Sequence, residues 1–271
     1  MIYSILVLIC SIYVMRKCAP SFDIASNFLT KGLGDGIKGP TVNAVASSLP
    51  ELLISSMFLF YFKDIQGFAA GYATIIGSSA FNIAIIPTIS FLYIYITKGK
   101  DQVFYINKSI VKQDSFFLLG AILILSLGFL VGVNFYLALL LILFYCLYIF
   151  YVVTTRSSNN KNKLFYYKFI KDHNLKLDTK THEIYGESGK FLSSVYNFKL
   201  FKIFFQGKIN NFSSCIVILI SILLIGSSCY FLVLSIEDIS HQIGINIFFG
   251  AFIFAAIASS VPDTIFSIQD A

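Results

Sequence analysis

The chain has 271 residues, 57% of them hydrophobic and only 13% charged, with a net charge of +6 and a mean hydropathy of +0.79. A water-soluble domain of this length needs about a quarter of its residues charged to cover its surface, so the balance excludes an ordinary soluble protein. It points to an all-α polytopic membrane protein.

Crossing a bilayer takes about 20 mostly apolar residues per helix. On that rule spans are expected near 1–15, 39–62, 67–97, 115–131, 133–153, 212–236 and 243–269. The first has no positive charge before it apart from the amino terminus and is followed by Arg16 and Lys17. It therefore reads as a retained helix with its amino end outside, not as a secretory signal. The cytoplasmic stretches are then 16–38, 98–114 and 154–211, which hold 4, 4 and 11 of the 20 Lys and Arg residues and leave only Lys63 outside. That is the positive-inside pattern, and it accounts for the net charge without a nucleic-acid partner. A plasma (inner) membrane is the expected location, an organellar membrane the alternative.

The basic loop 154–211 separates a first half, 1–153, from a second that starts at 212–271. Its stretch KFLSSVYNFKLFKIFFQGK reads either as a helix lying on the inner membrane surface or as a solvated linker. His173, His182 and His241 are expected in loops. Cys10, Cys18, Cys146, Cys215 and Cys229 form no CxxC pair and have no histidine at ligand spacing, so they read as small hydrophobes.

Two octapeptides stand out: AVASSLPE at 44–51 and AIASSVPD at 256–263. Ala44 matches Ala256, Ser47 and Ser48 match Ser259 and Ser260, Pro50 matches Pro262, and Glu51 matches Asp263; the match runs on to Ser55 and Ser267. The first copy falls in the second span and the second in the seventh, so the copies run in opposite directions. An inverted pair of this kind places a binding site at the repeat interface near the bilayer midplane.

Pro50 and Pro262 each remove a backbone donor, which frees a carbonyl one turn earlier. Such carbonyls persist at membrane depth only where they line a cavity or hold an ion. With two hydroxyls and a carboxylate beside them, they form a hard oxygen set suited to Na⁺ or Ca²⁺. An ionised carboxylate at the bilayer centre costs at least ~3 kcal/mol, and a cation offsets that cost. A second element, GYATIIGSSAFNIAIIP at 71–87, sets Gly77, Ser78, Ser79 and Asn82 inside the third span, where small residues allow close approach and Asn82 offers an amide oxygen.

The motifs GPTVNAVASSLPEL (39–52), GSSAFN (77–82) and SSVPDT (259–264) resemble the cation/calcium exchanger superfamily, the sodium/calcium exchangers and their potassium-dependent relatives. The SSVPDT string is more like the potassium-dependent branch. The resemblance implies an inverted-repeat exchanger fold of five helices per half, with the first alpha repeat at about 39–95 and about seven of ten helices present. It implies that Glu51 and Asp263 are the central cation carboxylates. Ser47, Ser48, Ser259 and Ser260 would add hydroxyl or backbone oxygens, Ala44 and Ala256 backbone carbonyls, and Ser78 and Asn82 side-chain oxygens. Where the family has glycine before the serine pair, this chain has Ala46 and Ala258. The spacing from Glu51 to GSSAFN, applied to Asp263, carries the matching motif past Ala271, so the second repeat reads as incomplete.

The resulting expectation is a secondary antiporter moving Na⁺ against Ca²⁺, with no cofactor, the lipid bilayer as surroundings, and K⁺ as a further ion if the branch holds. Ca²⁺/H⁺ exchange is the alternative within the superfamily. A non-transporting fragment or assembly subunit is another, with a homo-oligomer or a completing polypeptide left open. An intramembrane hydrolase would need a nucleophile or metal-ligand histidines beside the two carboxylates, and neither accompanies them; the chain does not read as an enzyme.

Overall fold

The computed structural model describes residues 1–30, 37, 41, 44–98, 108–132, 134–156, 175–177, 184–185, 191–261 and 264. Its helices in chain order are α1 (Ile2–Leu29), α2 (Ala44–Ser47), α3 (Leu49–Phe62), α4 (Ile65–Ala80), α5 (Ile86–Lys98), α6 (Lys108–Val131), α7 (Phe135–Arg156), α8 (Phe191–Tyr196), α9 (Leu200–Phe205), α10 (Asn211–Ile243) and α11 (Ile247–Val261). A π turn, Phe81–Ile85, joins α4 to α5 as one rod, and α11 contains another, Ala251–Ala255. Among the described residues five segments are long and apolar enough to cross a membrane: α1, the α4–α5 rod, α6, α7 and α10; α3 and α11 are shorter apolar helices. The protein is an integral multi-pass membrane protein.

At the centre α1 and α10 pack antiparallel. Both carry small residues at seven-residue intervals: Ser4, Ser11, Cys18 and Ala25 on α1, and Ser214, Ser221, Ser228 and Ser235 on α10, all buried. A strict seven-residue period keeps one seam facing a partner helix, and small side chains let the backbones approach. In lipid this close packing, rather than loss of water, supplies the attraction. Cys229 Sγ meets Met15 Sδ at 3.8 Å midway along, and the Ser4 hydroxyl reaches Asp238 Oδ2 at 3.4 Å near one end. Of the five cysteines, Cys18 and Cys229 are thus core residues; the other three are exposed, and none is in a disulfide.

Helix α1 runs to Leu29 and does not end near residue 15 as expected from its charges. Arg16 is exposed, while the Lys17 ammonium donates to Asn197 Oδ1 at 2.7 Å and lies over the rings of Tyr13 (5.6 Å) and Tyr196 (5.3 Å). An ammonium over aromatic faces gains about 0.5–2 kcal/mol, so the helix can carry this charge onward. At the other end of the pair, His241 lies on the last turn of α10 and not in a loop. Gly244, at φ 76°, closes that helix, and its N–H donates to the His241 carbonyl.

The α3–α4 turn is set by Lys63 in the left-handed region and by Asp64, whose carboxylate accepts from the Gly67 N–H at 3.0 Å. The two helices then run antiparallel with α4 glycines pressed on α3. A Cβ on Gly71 would stand 2.8 Å from the Ser55 carbonyl oxygen, and one on Gly67 2.6 Å from that of Phe58. Backbone cannot yield as a side-chain tip can. Gly71→Val is therefore expected to destabilise the protein by about 1–3 kcal/mol through overpacking, seen as a lower melting temperature in detergent.

Helices α6 and α7 form a second antiparallel hairpin, with Gly120 against Phe144, Gly128 against Leu137, and the Tyr148 hydroxyl donating to Asp114 Oδ1 at 3.1 Å. Leu118, Leu130, Leu143 and Phe150 stand exposed on it, as lipid-facing residues do.

The stretch 190–208 is described from residue 191 onward. It folds into α8 and α9 and ends in β3 (Lys208–Ile209), which pairs antiparallel with β2 (Ile184–Tyr185), itself paired with β1 (Lys176–Leu177). Leu200, Phe201 and Ile209 are buried with Ala25 and Phe28 of α1, Val217 of α10 and Leu175. The apolar residues that suggested a membrane-surface helix are used to seat this segment on the ends of α1 and α10. An Asn210/Ser213 capping box then starts α10.

Candidate functional site

The first octapeptide is a broken helix. Pro50 cannot donate to the Ala46 carbonyl, and the chain turns at Ser48 between α2 and α3. That break brings Glu51 into the first turn of α3, where it is buried at 8% exposure. The α3–α4 hairpin carries Ser78 back to it: the Ser78 hydroxyl donates to Glu51 Oε1 at 2.8 Å.

The second octapeptide arrives from the other side. Gly77 lies so close to α11 that a Cβ there would stand 2.7 Å from the Ala256 Cβ and nearer still to the Phe252 carbonyl oxygen. This contact sets Ser260 Oγ 3.2 Å from Ser78 Oγ. Since the Ser78 proton is committed to Glu51, Ser260 donates to Ser78, and the three groups form a chain ending on the carboxylate. Ser259 and Ser260 are fully buried, and the Ser259 side chain stands beside Glu51. Glu51 Oε2 has no hydrogen-bond partner among the described residues.

The two copies share backbone detail as well as letters. Ser47 Oγ donates to the Ala44 carbonyl at 3.2 Å, and Ser259 Oγ to the Ala256 carbonyl at 3.1 Å. Thr41 has π-helical backbone, and its counterpart at the same offset, Ile253, lies inside the π turn of α11. Because α4 is antiparallel to α3 and runs alongside α11 in the same direction, the copies themselves are antiparallel. A π turn widens the helix and leaves its carbonyls less well paired, a form common at functional sites.

Glu51, Ser78, Ser259 and Ser260 are thus brought together. Ser47 and Ser48 are exposed, Asn82 is exposed within the π turn after α4, Ala44 is half-buried and Ala256 buried. Asp263 and Pro262 lie outside the described residues.

A sulfur pair near the site carried no sequence signal. The Cys229 thiol lies within electrostatic reach of the carboxylate, and Met15 packs on that thiol. They are far apart in sequence and match no motif; only the α1–α10 packing joins them. Their sulfurs are poor ligands for hard cations.

A buried carboxylate with one oxygen unpartnered among the described residues, flanked by hydroxyls and set between a broken helix and an antiparallel copy of the same string, defines a membrane transporter of the inverted-repeat type. The family model described as sodium/calcium exchanger protein matches residues 3–154. The chain belongs to this family, whose members are cation/calcium exchanger-type transporters. No curated protein and no solved structure matches the chain.

Proposed function

We propose that the protein is a secondary antiporter that exchanges Na⁺ for Ca²⁺ at one site exposed alternately to the two sides of the membrane. The observation that carries this reading is Glu51 itself, a buried carboxylate in an apolar helix with one oxygen held by Ser78 and the other without a partner among the described residues. A hard cation offsets such a charge, and hydroxyl oxygens complete its shell.

In this mechanism Glu51 and Asp263 supply the negative charge. Ser78, Ser259 and Ser260 supply hydroxyl oxygens, with Ser47, Ser48 and Asn82 and the Ala44 and Ala256 carbonyls as further ligands that close in when an ion is held. Two carboxylates balance one Ca²⁺, or Na⁺ ions that share the other oxygens. Competition for the same ligands couples the two fluxes without a chemical fuel. With an ion held, Ser78 and Ser260 present oxygen lone pairs to it. The amino end of α1 is placed outside and loop 154–211 inside, in a plasma or organellar membrane.

Proteoliposomes decide between coupling ions. With an outward Na⁺ gradient, radiolabelled Ca²⁺ is expected to accumulate inside; with a pH gradient alone it is not. Uptake driven by the pH gradient and indifferent to Na⁺ would move the protein to Ca²⁺/H⁺ exchange.

A further inference from the structure

Tyr13, Lys17 and Ser21 lie four residues apart along one stripe of α1, and each grips the segment between α8 and α9. The Tyr13 hydroxyl donates to the Tyr196 carbonyl at 3.4 Å, and the rings of Tyr13 and Tyr196 stand 6.2 Å apart with the Lys17 ammonium over both. Lys17 Nζ also donates to Asn197 Oδ1 at 2.7 Å. Ser21 Oγ donates to the Phe198 carbonyl at 2.9 Å and accepts from the Leu200 N–H at 3.2 Å. Phe198 sits at φ 50°, a left-handed conformation a phenylalanine keeps only where its surroundings enforce it. Leu200 and Phe201 are then buried on the next turns of α1.

The same two turns of α1 also carry Met15, which packs on Cys229, a thiol within electrostatic reach of Glu51. The grip and the carboxylate site therefore bear on one short piece of helix from different sides. Exposing Glu51 to the two membrane faces in turn requires the helices around it to change their contacts. Helix α1 is held through this piece by a segment from the loop between the halves.

We propose that residues 196–201 are an intramolecular clamp on α1 that slows the conformational step of transport. The proposal rests on the antiporter reading for its effect on flux, while the clamp itself is measurable without any flux. Releasing it raises the energy of the resting arrangement relative to the step that leaves it, so turnover rises.

The test uses the full-length protein in proteoliposomes, with Lys17→Met and Asn197→Ala as releasing variants and Arg16→Met as a control that removes the same charge from an exposed neighbour. Amide hydrogen exchange at 196–201 is expected to quicken about tenfold in both releasing variants, and the initial rate of gradient-driven Ca²⁺ uptake to rise about threefold or more. The control is expected to match wild type in both. Unchanged exchange in Asn197→Ala, which leaves the core of α1 intact, overturns the clamp. Faster exchange with unchanged or slower uptake overturns its effect on transport, and an equal effect of Arg16→Met assigns the result to charge at the membrane surface, which also overturns it. A wild type without uptake sinks the antiporter reading and with it the effect on turnover, whereas the exchange data still decide whether the clamp exists.

Discussion

Vesicles containing Glu51→Gln are expected to show no Na⁺-driven Ca²⁺ uptake above vesicles without protein, a loss of more than about a hundredfold. The substitution keeps the side chain's size, and its amide oxygen can still accept from the Ser78 hydroxyl, so the link from Ser260 through Ser78 survives. What disappears is the charge. Removing one member of a buried charge pair leaves the other uncompensated, at about 3–5 kcal/mol, and each 1.4 kcal/mol is tenfold in affinity. The ion-free protein is expected to be at least as heat-stable as wild type, because burying a neutral amide costs less than burying a carboxylate. Normal uptake by this variant would remove Glu51 from the site, and a large fall in melting temperature would recast it as a structural residue.

The second large effect is expected from a single methyl group. At Gly77 an added Cβ meets the Phe252 carbonyl and the Ala256 Cβ, both parts of a packed helix that cannot swing away. Gly77→Ala must therefore push α4 and α11 apart, at about 1–3 kcal/mol. The Ser78–Ser260 contact, 3.2 Å long, lies one residue from the point of contact and opens with it. Both copies should lose their shared pocket, so Ca²⁺ uptake falls at least about tenfold while the protein still inserts in the membrane. Gly226, where an added Cβ meets nothing within 4 Å, supplies the comparison: Gly226→Ala should leave uptake unchanged. Equal behaviour of the two variants would show that the α4–α11 approach does not matter.

Much of the architecture was readable from hydropathy, because a membrane helix must satisfy its own backbone and so announces itself as a long apolar run. Helix ends were less legible. Lys17 reads as a loop residue in sequence because its partners, Tyr196 and Asn197, lie beyond the first five spans. In the same way, the serines at seven-residue intervals on α1 and α10 carry no local message until the two helices are set side by side. The site shows the same division. The SSxP-acid strings were visible as a repeat and GSSAFN as a motif, and three of their polar groups, Glu51, Ser78 and Ser260, form the hydrogen-bonded chain. Gly77 was read as permitting close approach, but which carbonyl it approaches depends on α11, contributed by the far end of the chain. Ser47, Ser48 and Asn82 are exposed, and a shared string does not reveal which way each side chain faces.

The pairing of α1 with α10 bears on how the protein is made. Helix α1 is synthesised before its partner α10, which begins at Asn211. At about 5–20 residues per second, roughly 10–40 s of synthesis separate them. During that interval α1 sits in the membrane with Ser4, Ser11 and Lys17 lacking the neighbours they have in the finished protein. Biogenesis thus includes a waiting period in which a polar-striped helix must be retained in the bilayer, by an insertion factor or by the lipid alone, until its partner is delivered.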